Sequence, residues 1–508
     1  MIRFLRAVSL ATIAMPLLPL AAQNPPAAAA QQPAACEIDI MQPSPLSIAY
    51  LQRQKVIGAT KPEDALKAIR DAMKALSDDR NKSNALGRDY LLAQFYVFAA
   101  AYGEVQTRGN LGLPGDKTAT VDLIVGIDSL LTIVEKGKPT PACLGEASQW
   151  REFKPYQELV QAAYRVMGAS QHDSAEKLAK RALILYKNGA QTYDILWRVA
   201  KERNDEAGAI SNLQLAVEKL AGDTLNLTVR ANFLFTLGRI QQEYAEKKTD
   251  KAAQALQFRS AAKAYLALIT EYPMVKETPF ALSGISYVST QSSDTALACG
   301  AVDIVKGATA KYGDVTLAQA GVVATKCGRT ADAVAMFEAA AKVNSYSRDY
   351  LYNLAAMLHE SKRSPEMIPV IKRLVELDPS NGDNWMLYAF AFKALSDAER
   401  DPAKKKVLID SVAYYGKIAD EMPHKLVYTE FDRMDDKTVL MGQVENHGKA
   451  ARSFTIEFEF LGKDGAVVGK QTATVANVAA GGVGDFQVEI PTGGVLGVRY
   501  AALKAGGS

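Results

Sequence analysis

The sequence predicts a mainly α protein: an α-α superhelix of stacked helix pairs, followed by a small antiparallel β-sandwich. Three observations carry that reading. Between Gly313 and Pro379 one pattern occurs twice in register. Before it, apolar residues recur at helical spacing. After Pro423 they alternate at strand spacing between glycine-rich turns.

In the first copy of the pattern Leu317, Ala320, Gly321 and Ala324 precede Ala333, Phe337 and Ala340. A shift of 34 residues gives Leu351, Leu354, Ala355, Leu358, Met367, Ile371 and Leu374, and this copy closes with Leu377-Asp378-Pro379. The same register reaches back to about Tyr156. Leu159, Ala162, Ala163 and Val166 precede Ala175, Ala179 and Ala182. One unit later stand Tyr193, Leu196, Trp197 and Ala200, then Ala209, Leu213 and Ala216. The next pair has Leu237-Gly238 in its first helix and Ala261, Tyr265 and Leu268 in its second. Its connection is about 11 residues longer than a 34-residue unit allows and reads as an inserted segment around Ala245 to Lys251. Thr278 to Tyr312 is an irregular pair. A last pair carries Trp385, Tyr388, Ala389 and Phe392, then Tyr415, Ile418 and Pro423. Two antiparallel helices approach within about 8–10 Å only where side chains are short, which is the role of the small positions.

These residues resemble the tetratricopeptide repeat (TPR) family over 156–423. That motif has a large residue, Leu-Gly and Tyr in its first helix, then Ala, an aromatic, Ala and a closing Pro. Gly321 and Gly238 keep its small eighth residue, and Ala355, Ala389 and Ala163 substitute another small one. Trp197 departs from it, so that pair is expected to splay. Ile418 replaces the last Ala, so the final pair is expected to pack less closely. The resemblance implies a concave groove lined by first helices. Its family positions fall on Asp349, Tyr352, Ala356, His359 and Glu360, then on Asp383, Met386, Phe390, Lys393 and Ala394. Near the start of the array they fall on Gln191, Asp194, Arg198, Lys201 and Glu202. Aromatics and Met beside a few charges suit a partly apolar protein or peptide partner. The Lys/Asn clamp by which the family's chaperone cofactors hold a peptide carboxylate is missing: Ala318, Val322, Tyr352, Met386 and Ala356 stand in its place.

Ahead of the array, residues 1–22 read as a signal peptide. Arg3 and Arg6 precede an apolar run, Ala7 to Leu20, broken by Pro16 and Pro19 and too short for a bilayer span. Residues 23–44 read as a flexible Pro/Ala/Gln-rich linker. Residues 45–155 read as an N-terminal helical region of degenerate repeats or a cap. Pro62-Glu-Asp starts a helix whose Ala65, Ile69, Ala72, Met73 and Leu76 share one face.

Residues 424–508 read as the sandwich. Strand-like runs are Val427–Phe431, Thr438–Val444, Phe454–Phe460, Val467-Val468, Thr472–Val475, Phe486–Ile490 and Val495–Ala502, with an Asp464-Gly465 hairpin turn. Gly442-Gln-Val-Glu-Asn446, Phe460-Leu-Gly-Lys-Asp-Gly465 and Phe486-Gln-Val resemble the FxLYD-type, immunoglobulin-like domains of exported bacterial proteins.

Composition narrows the function. Apolar content of 48% and charge content of 23% are ordinary for a globular chain. A net charge of +3, or +1 without Arg3 and Arg6, offers nothing to nucleic acid; a membrane would be met only through an uncleaved leader. The leader directs the chain to the periplasm or outside the cell, where four cysteines form disulfides. Cys299 lies early in the second helix of one pair and Cys327 at the end of the next first helix. Antiparallel packing brings them together as Cys299–Cys327, leaving Cys36–Cys143. His172, His359, His424 and His447 are isolated, and no cysteine or histidine has ligand spacing, so no metal or cofactor is expected. No nucleophile–base set appears, so the chain is not expected to be an enzyme. The expected function is an exported scaffold for protein–protein interaction in the cell envelope. The alternative is a small-ligand or glycan-binding domain, or an accessory subunit of an envelope enzyme.

Overall fold

The structure, a computed structural model, describes residues 36–223 and 226–507. The expected leader, 1–22, and the first part of the expected linker, 23–35, lie outside the described residues. The chain divides into two compact units: residues up to 159 with 181–187, and residues 160–180 with 188 onward.

The first unit contains α1 (Ser44–Gly58), α2 (Pro62–Leu76), α3 (Ala85–Ala100), a single turn α4 (Arg108–Leu111), α5 (Leu123–Gly137) and α6 (Pro141–Glu152). Two short strands, β1 (Val105–Thr107) and β2 (Thr120–Asp122), pair antiparallel around α4. Helix α2 begins as its sequence dictates, with Pro62, Glu63 and Asp64 in the first turn, and buries Ala65, Ile69, Ala72, Met73 and Leu76. Asn84 and Asp122 cap α3 and α5 by accepting from the Gly87 and Val125 amides. The Arg151 guanidinium bridges Asp128 at 2.6 Å and Glu135 at 2.7 Å.

The described end of the expected linker is not a free spacer. Cys36 is bonded to Cys143. Lys138 Nζ donates to the Glu37 carbonyl at 2.5 Å. Asn84 Nδ2 donates to the carbonyls of Asp39 (2.8 Å) and Gln42 (2.7 Å). The expected covalent link, together with long-range polar contacts that composition does not foretell, holds residues 36–43 against the unit.

The second unit holds most of a run of helix pairs: α7 (Lys154–Gly168) with α8 (His172–Leu185), α9 (Ala190–Glu202) with α10 (Glu206–Lys219), and α11 (Leu227–Lys247) with α12 (Lys251–Glu271). These are followed by α13 (Thr278–Gln291) with α14 (Thr295–Lys306), α15 (Asp314–Lys326) with α16 (Thr330–Val343), α17 (Arg348–Glu360) with α18 (Ser364–Leu377), and α19 (Gly382–Ala398) with α20 (Pro402–Asp420). Helices α7 and α8 contribute residues to both units. Where a repeat needs a small residue, a large one fills the gap from the facing helix. A Cβ on Gly321 would meet the Phe337 ring at 2.9 Å, and one on Gly238 or Gly284 would meet the Tyr265 ring closer still.

The extra residues of the third pair do not form an inserted loop. Helices α11 and α12 are both 21 residues long, and the turn between them is only 248–250. Asp250 caps α12 by accepting from the Ala253 amide at 2.6 Å, so the added sequence lengthens two helices instead. Trp197, at a small position, is nearly buried in a cluster with Ala209, Leu213, Leu237 and Ile240. The final pair is closed by stacked rings, with Tyr388 and Tyr415 centroids 4.6 Å apart and Phe392 5.4 Å from Tyr415.

The sandwich comprises β3 (His424–Arg433), β4 (Thr438–Asn446), β5 (Arg452–Leu461), β6 (Val467–Val478), β7 (Val483–Ile490) and β8 (Gly497–Gly507). One antiparallel sheet has the order β3-β4-β7 and the other β6-β5-β8. Alternate residues Phe454, Ile456, Phe458 and Phe460 of β5 are fully buried between the sheets. Gly465 takes φ 74° in the β5–β6 hairpin, as its Asp-Gly turn requires. Val467-Val468 and Thr472–Val475, separate runs in sequence, belong to the single strand β6. Asn446 Nδ2 donates to the carbonyls of Ala450, Val478 and Ala479 at 2.9–3.1 Å, which tethers the turn after β6 to the end of β4.

Gly321→Ala should lower stability by about 1–2 kcal/mol in urea unfolding, because overpacking against Phe337 outweighs the helix-propensity gain of about 1 kcal/mol. Adding Phe337→Leu should recover part of that loss. The sulfurs of Cys299 and Cys327 are bonded across 28 residues of chain. Non-reducing peptide mapping should recover them in one linked pair, and Cys299→Ala should cost about 3–4 kcal/mol on the chain-entropy estimate.

Candidate functional site

The expected groove residues fall into two groups in the structure. His359 and Phe390, on α17 and α19, stack with ring centroids 5.5 Å apart and an interplanar angle of 24°. Phe390 remains 45% exposed. On the same helix Lys393 pairs with Asp397 at 2.6 Å, one turn away. Met386 is half-buried and Glu360 is exposed. These two first helices present an open aromatic step.

The other group lies beside the start of the sandwich. Asp383 accepts from Lys425 of β3 at 2.7 Å, and this partner holds the ammonium above its ordinary pKa. Asp349 and Tyr352, the latter 38% exposed, line a cavity of about 310 Å³ with Lys425, Leu426 and Val427. The start of β3 thus lies beside Asp349, Tyr352 and Asp383, all three of which stay open to solvent. Nearer the start of the array, Asp194 is not a groove residue either. It is buried, accepting from Trp197 Nε1 at 2.7 Å and from the Tyr164 hydroxyl at 2.9 Å.

The joint that places β3 there was not visible in the sequence. Asp378, from the Leu-Asp-Pro turn after α18, accepts the Tyr500 hydroxyl of β8 at 2.8 Å, and the Ser380 amide donates to that same hydroxyl at 2.6 Å. Asn384 and Asn381 donate to the second Asp378 oxygen at 3.1 and 3.2 Å. Burial, with the Asp378 charge beside it, pushes the Tyr500 hydroxyl well above the ordinary phenol value. The Arg348 guanidinium lies 3.6 Å from the centroid of the Tyr428 ring. Asn344 donates to the Leu496 carbonyl at 2.8 Å. The Leu461 side chain joins the helical core cluster. Close approach of Tyr346 leaves no room for a Cβ at Gly465 or Gly497. These partners across the joint are 80 or more residues apart, so no local pattern announces them.

Asp314 completes the joint. It accepts from Asn344 and Arg433 at 3.0 Å each and from the Tyr350 hydroxyl at 3.2 Å. Burial pushes its carboxyl up, but the Asn344 hydrogen bond and the Arg433 charge outweigh burial and hold it below the ordinary aspartate value. A depressed folded pKa means stability that is present above the unfolded value and lost as pH falls through the folded one. Asp314→Asn should therefore be less stable than the unsubstituted chain at neutral pH. The gap should shrink below about pH 4 in urea titrations at several pH values.

Among the described residues no group of three or more His, Cys, Asp or Glu could hold a metal ion, and no helix is long and apolar enough to cross a membrane. No protein-family model matches the chain, and no curated protein matches it. Among solved structures the chain is similar to a tetratricopeptide repeat protein from Parabacteroides merdae, with 16% identity over 51% of this chain and 98% of that one, at a TM-score of 0.24. It is also similar to a thermophilic TPR protein in Thermus thermophilus, with 13% identity over 40% of this chain and 98% of that one, at a TM-score of 0.22. With MamA it shares 16% identity over 36% of this chain and 91% of that one, at a TM-score of 0.25.

Proposed function

We propose that this chain is an exported, TPR-type scaffold that holds a protein or peptide partner on its concave face, in cell-envelope assembly or organisation. The observation that carries this reading is the exposed His359–Phe390 stack on first helices, where helical pairs leave aromatic surface without a core to enter. Tyr352 and Met386 extend the same face, and Lys393, Glu360, Asp349 and Asp383 rim it with charge. Export is supported by the Arg3/Arg6 leader pattern and by two cysteine pairs at bonding distance. The first, second and fifth strands of the sandwich share one sheet, and the fourth, third and sixth the other. That order supports the FxLYD-type, immunoglobulin-like reading.

The small-ligand alternative draws less support. The polar groups that converge at the joint are already engaged with one another, as in the Asp314–Asn344–Arg433 set. The test of the scaffold reading is crosslinking capture from the native envelope. Phe390→Ala with Tyr352→Ala should reduce recovery of the crosslinked partner about tenfold or more if these are the aromatic anchors. Unchanged recovery, with an unchanged melting temperature, would refute the concave-face assignment.

A further inference from the structure

A second surface lies where the sandwich meets the rims of α13, α15 and α17. It is a cleft of about 770 Å³, inside the second unit. One wall is the strand β3, and residues Tyr428 through Arg433 line the cleft consecutively. Alternate side chains of a strand point to opposite faces, so an unbroken run of lining residues means that the strand presents its edge. Among the described residues no strand pairs with β3 on its outer side, since the sheet order is β3-β4-β7. Its outward N–H and C=O groups thus form a template for another strand. A register shift between Tyr428 and Glu430 marks a bulge within that edge.

The opposite wall is apolar and open to solvent. Met274 is 73% exposed, Phe280 62% and Val315 43%. The charge along the β3 wall is lopsided, Lys276 standing on the opposite wall. Arg433 is engaged with Asp314, and Arg348 is stacked on Tyr428. Glu430 and Asp432 have no cationic partner among the described residues, and lie close enough for Asp432 to push the Glu430 carboxyl up by hydrogen bonding and repulsion.

We infer that β3 is a strand-addition site for an extended peptide of a partner protein, one that alternates basic with apolar side chains. Backbone hydrogen bonds to the β3 edge hold the peptide. Its apolar side chains enter the cleft over Met274, Phe280 and Val315. Its basic side chains neutralise Glu430 and Asp432. This site is separate from the His359–Phe390 step and does not require it.

The probe is a short, capped peptide of alternating lysine and valine, with the glutamate–valine peptide as its counterpart, titrated against the full chain by fluorescence anisotropy. The lysine–valine peptide should bind, weaken as salt rises, and exceed the glutamate–valine peptide by about tenfold or more. Glu430→Lys with Asp432→Lys, both on exposed or half-exposed positions, should reverse that preference. Thr429→Pro should abolish binding of either peptide by interrupting the edge. If the proline variant melts early, the charge-reversal pair decides alone. Phe390→Ala should leave peptide binding unchanged, which separates this site from the concave face. Absence of binding, equal binding of the two peptides, or binding insensitive to both variants would overturn the proposal. So would a concentration-dependent dimer that Thr429→Pro dissolves, since two copies would then be pairing through β3 themselves.

Discussion

The buried carboxylate of Asp378 is the constraint on which the arrangement of the second unit depends. A charge removed from water is tolerated only when its oxygens are hydrogen-bonded. Asp378 meets that need with Asn381 and Asn384 at the start of the next helix pair, with Arg348 at 3.4 Å, and with a tyrosine more than 100 residues later. Residues of the repeat alone would leave one oxygen without Tyr500, and the sandwich alone would leave the Tyr500 hydroxyl in an apolar setting. Each side therefore supplies a partner that the other lacks. Arg348 over Tyr428, Leu461 in the helical core, and Tyr346 against Gly465 and Gly497 add dispersion and close packing around that polar centre. The outcome is one continuous unit from the repeats through the strands, rather than two bodies on a tether.

That joint decides what each surface can still do. The start of β3 lies beside Asp349, Tyr352 and Asp383 and leaves them open to solvent, as it does the His359–Phe390 stack. The same docking leaves the outer edge of β3 facing Phe280 and Val315 across a gap. Both arrangements thus follow from a single packing geometry. Lys425 ties the first of them down, its ammonium placed against the Asp383 carboxylate.

The helices and strands were legible because their signals are local. A 34-residue register fixes which residues are small and which are large, and the Gly321–Phe337 approach is that rule in atomic form. The Asp464-Gly465 turn likewise needs only its own two residues. Two readings failed where no local signal could arbitrate. The long third repeat looked like an insertion, because the period says how many residues are extra and not whether they continue a helix. The cap by Asp250 and the short turn at 248–250 settle it as helix. The segment before α1 read as spacer apart from the expected Cys36–Cys143 bond, yet the carbonyls of Asp39 and Gln42 are anchored as well, by Asn84 far along the chain. Of the candidate site, the aromatic step was readable from the family positions. The sandwich that adjoins the rest was not, because its contacts span separations at which no periodicity survives.

A stack of helix pairs held only by neighbour-to-neighbour packing behaves as a spring, yielding a little at every interface. The bond from Cys299 to Cys327 crosses one such interface, from α14 of one pair to the end of α15 in the next. Sliding or opening there would have to stretch covalent bonds, so that coil of the spring is fixed while the others keep their compliance. The fixed coil lies immediately before the repeats that carry the sandwich. Mechanical strain arriving along the earlier pairs is therefore taken up by their own interfaces, and the strand edge and aromatic step beyond the bond keep their geometry under load.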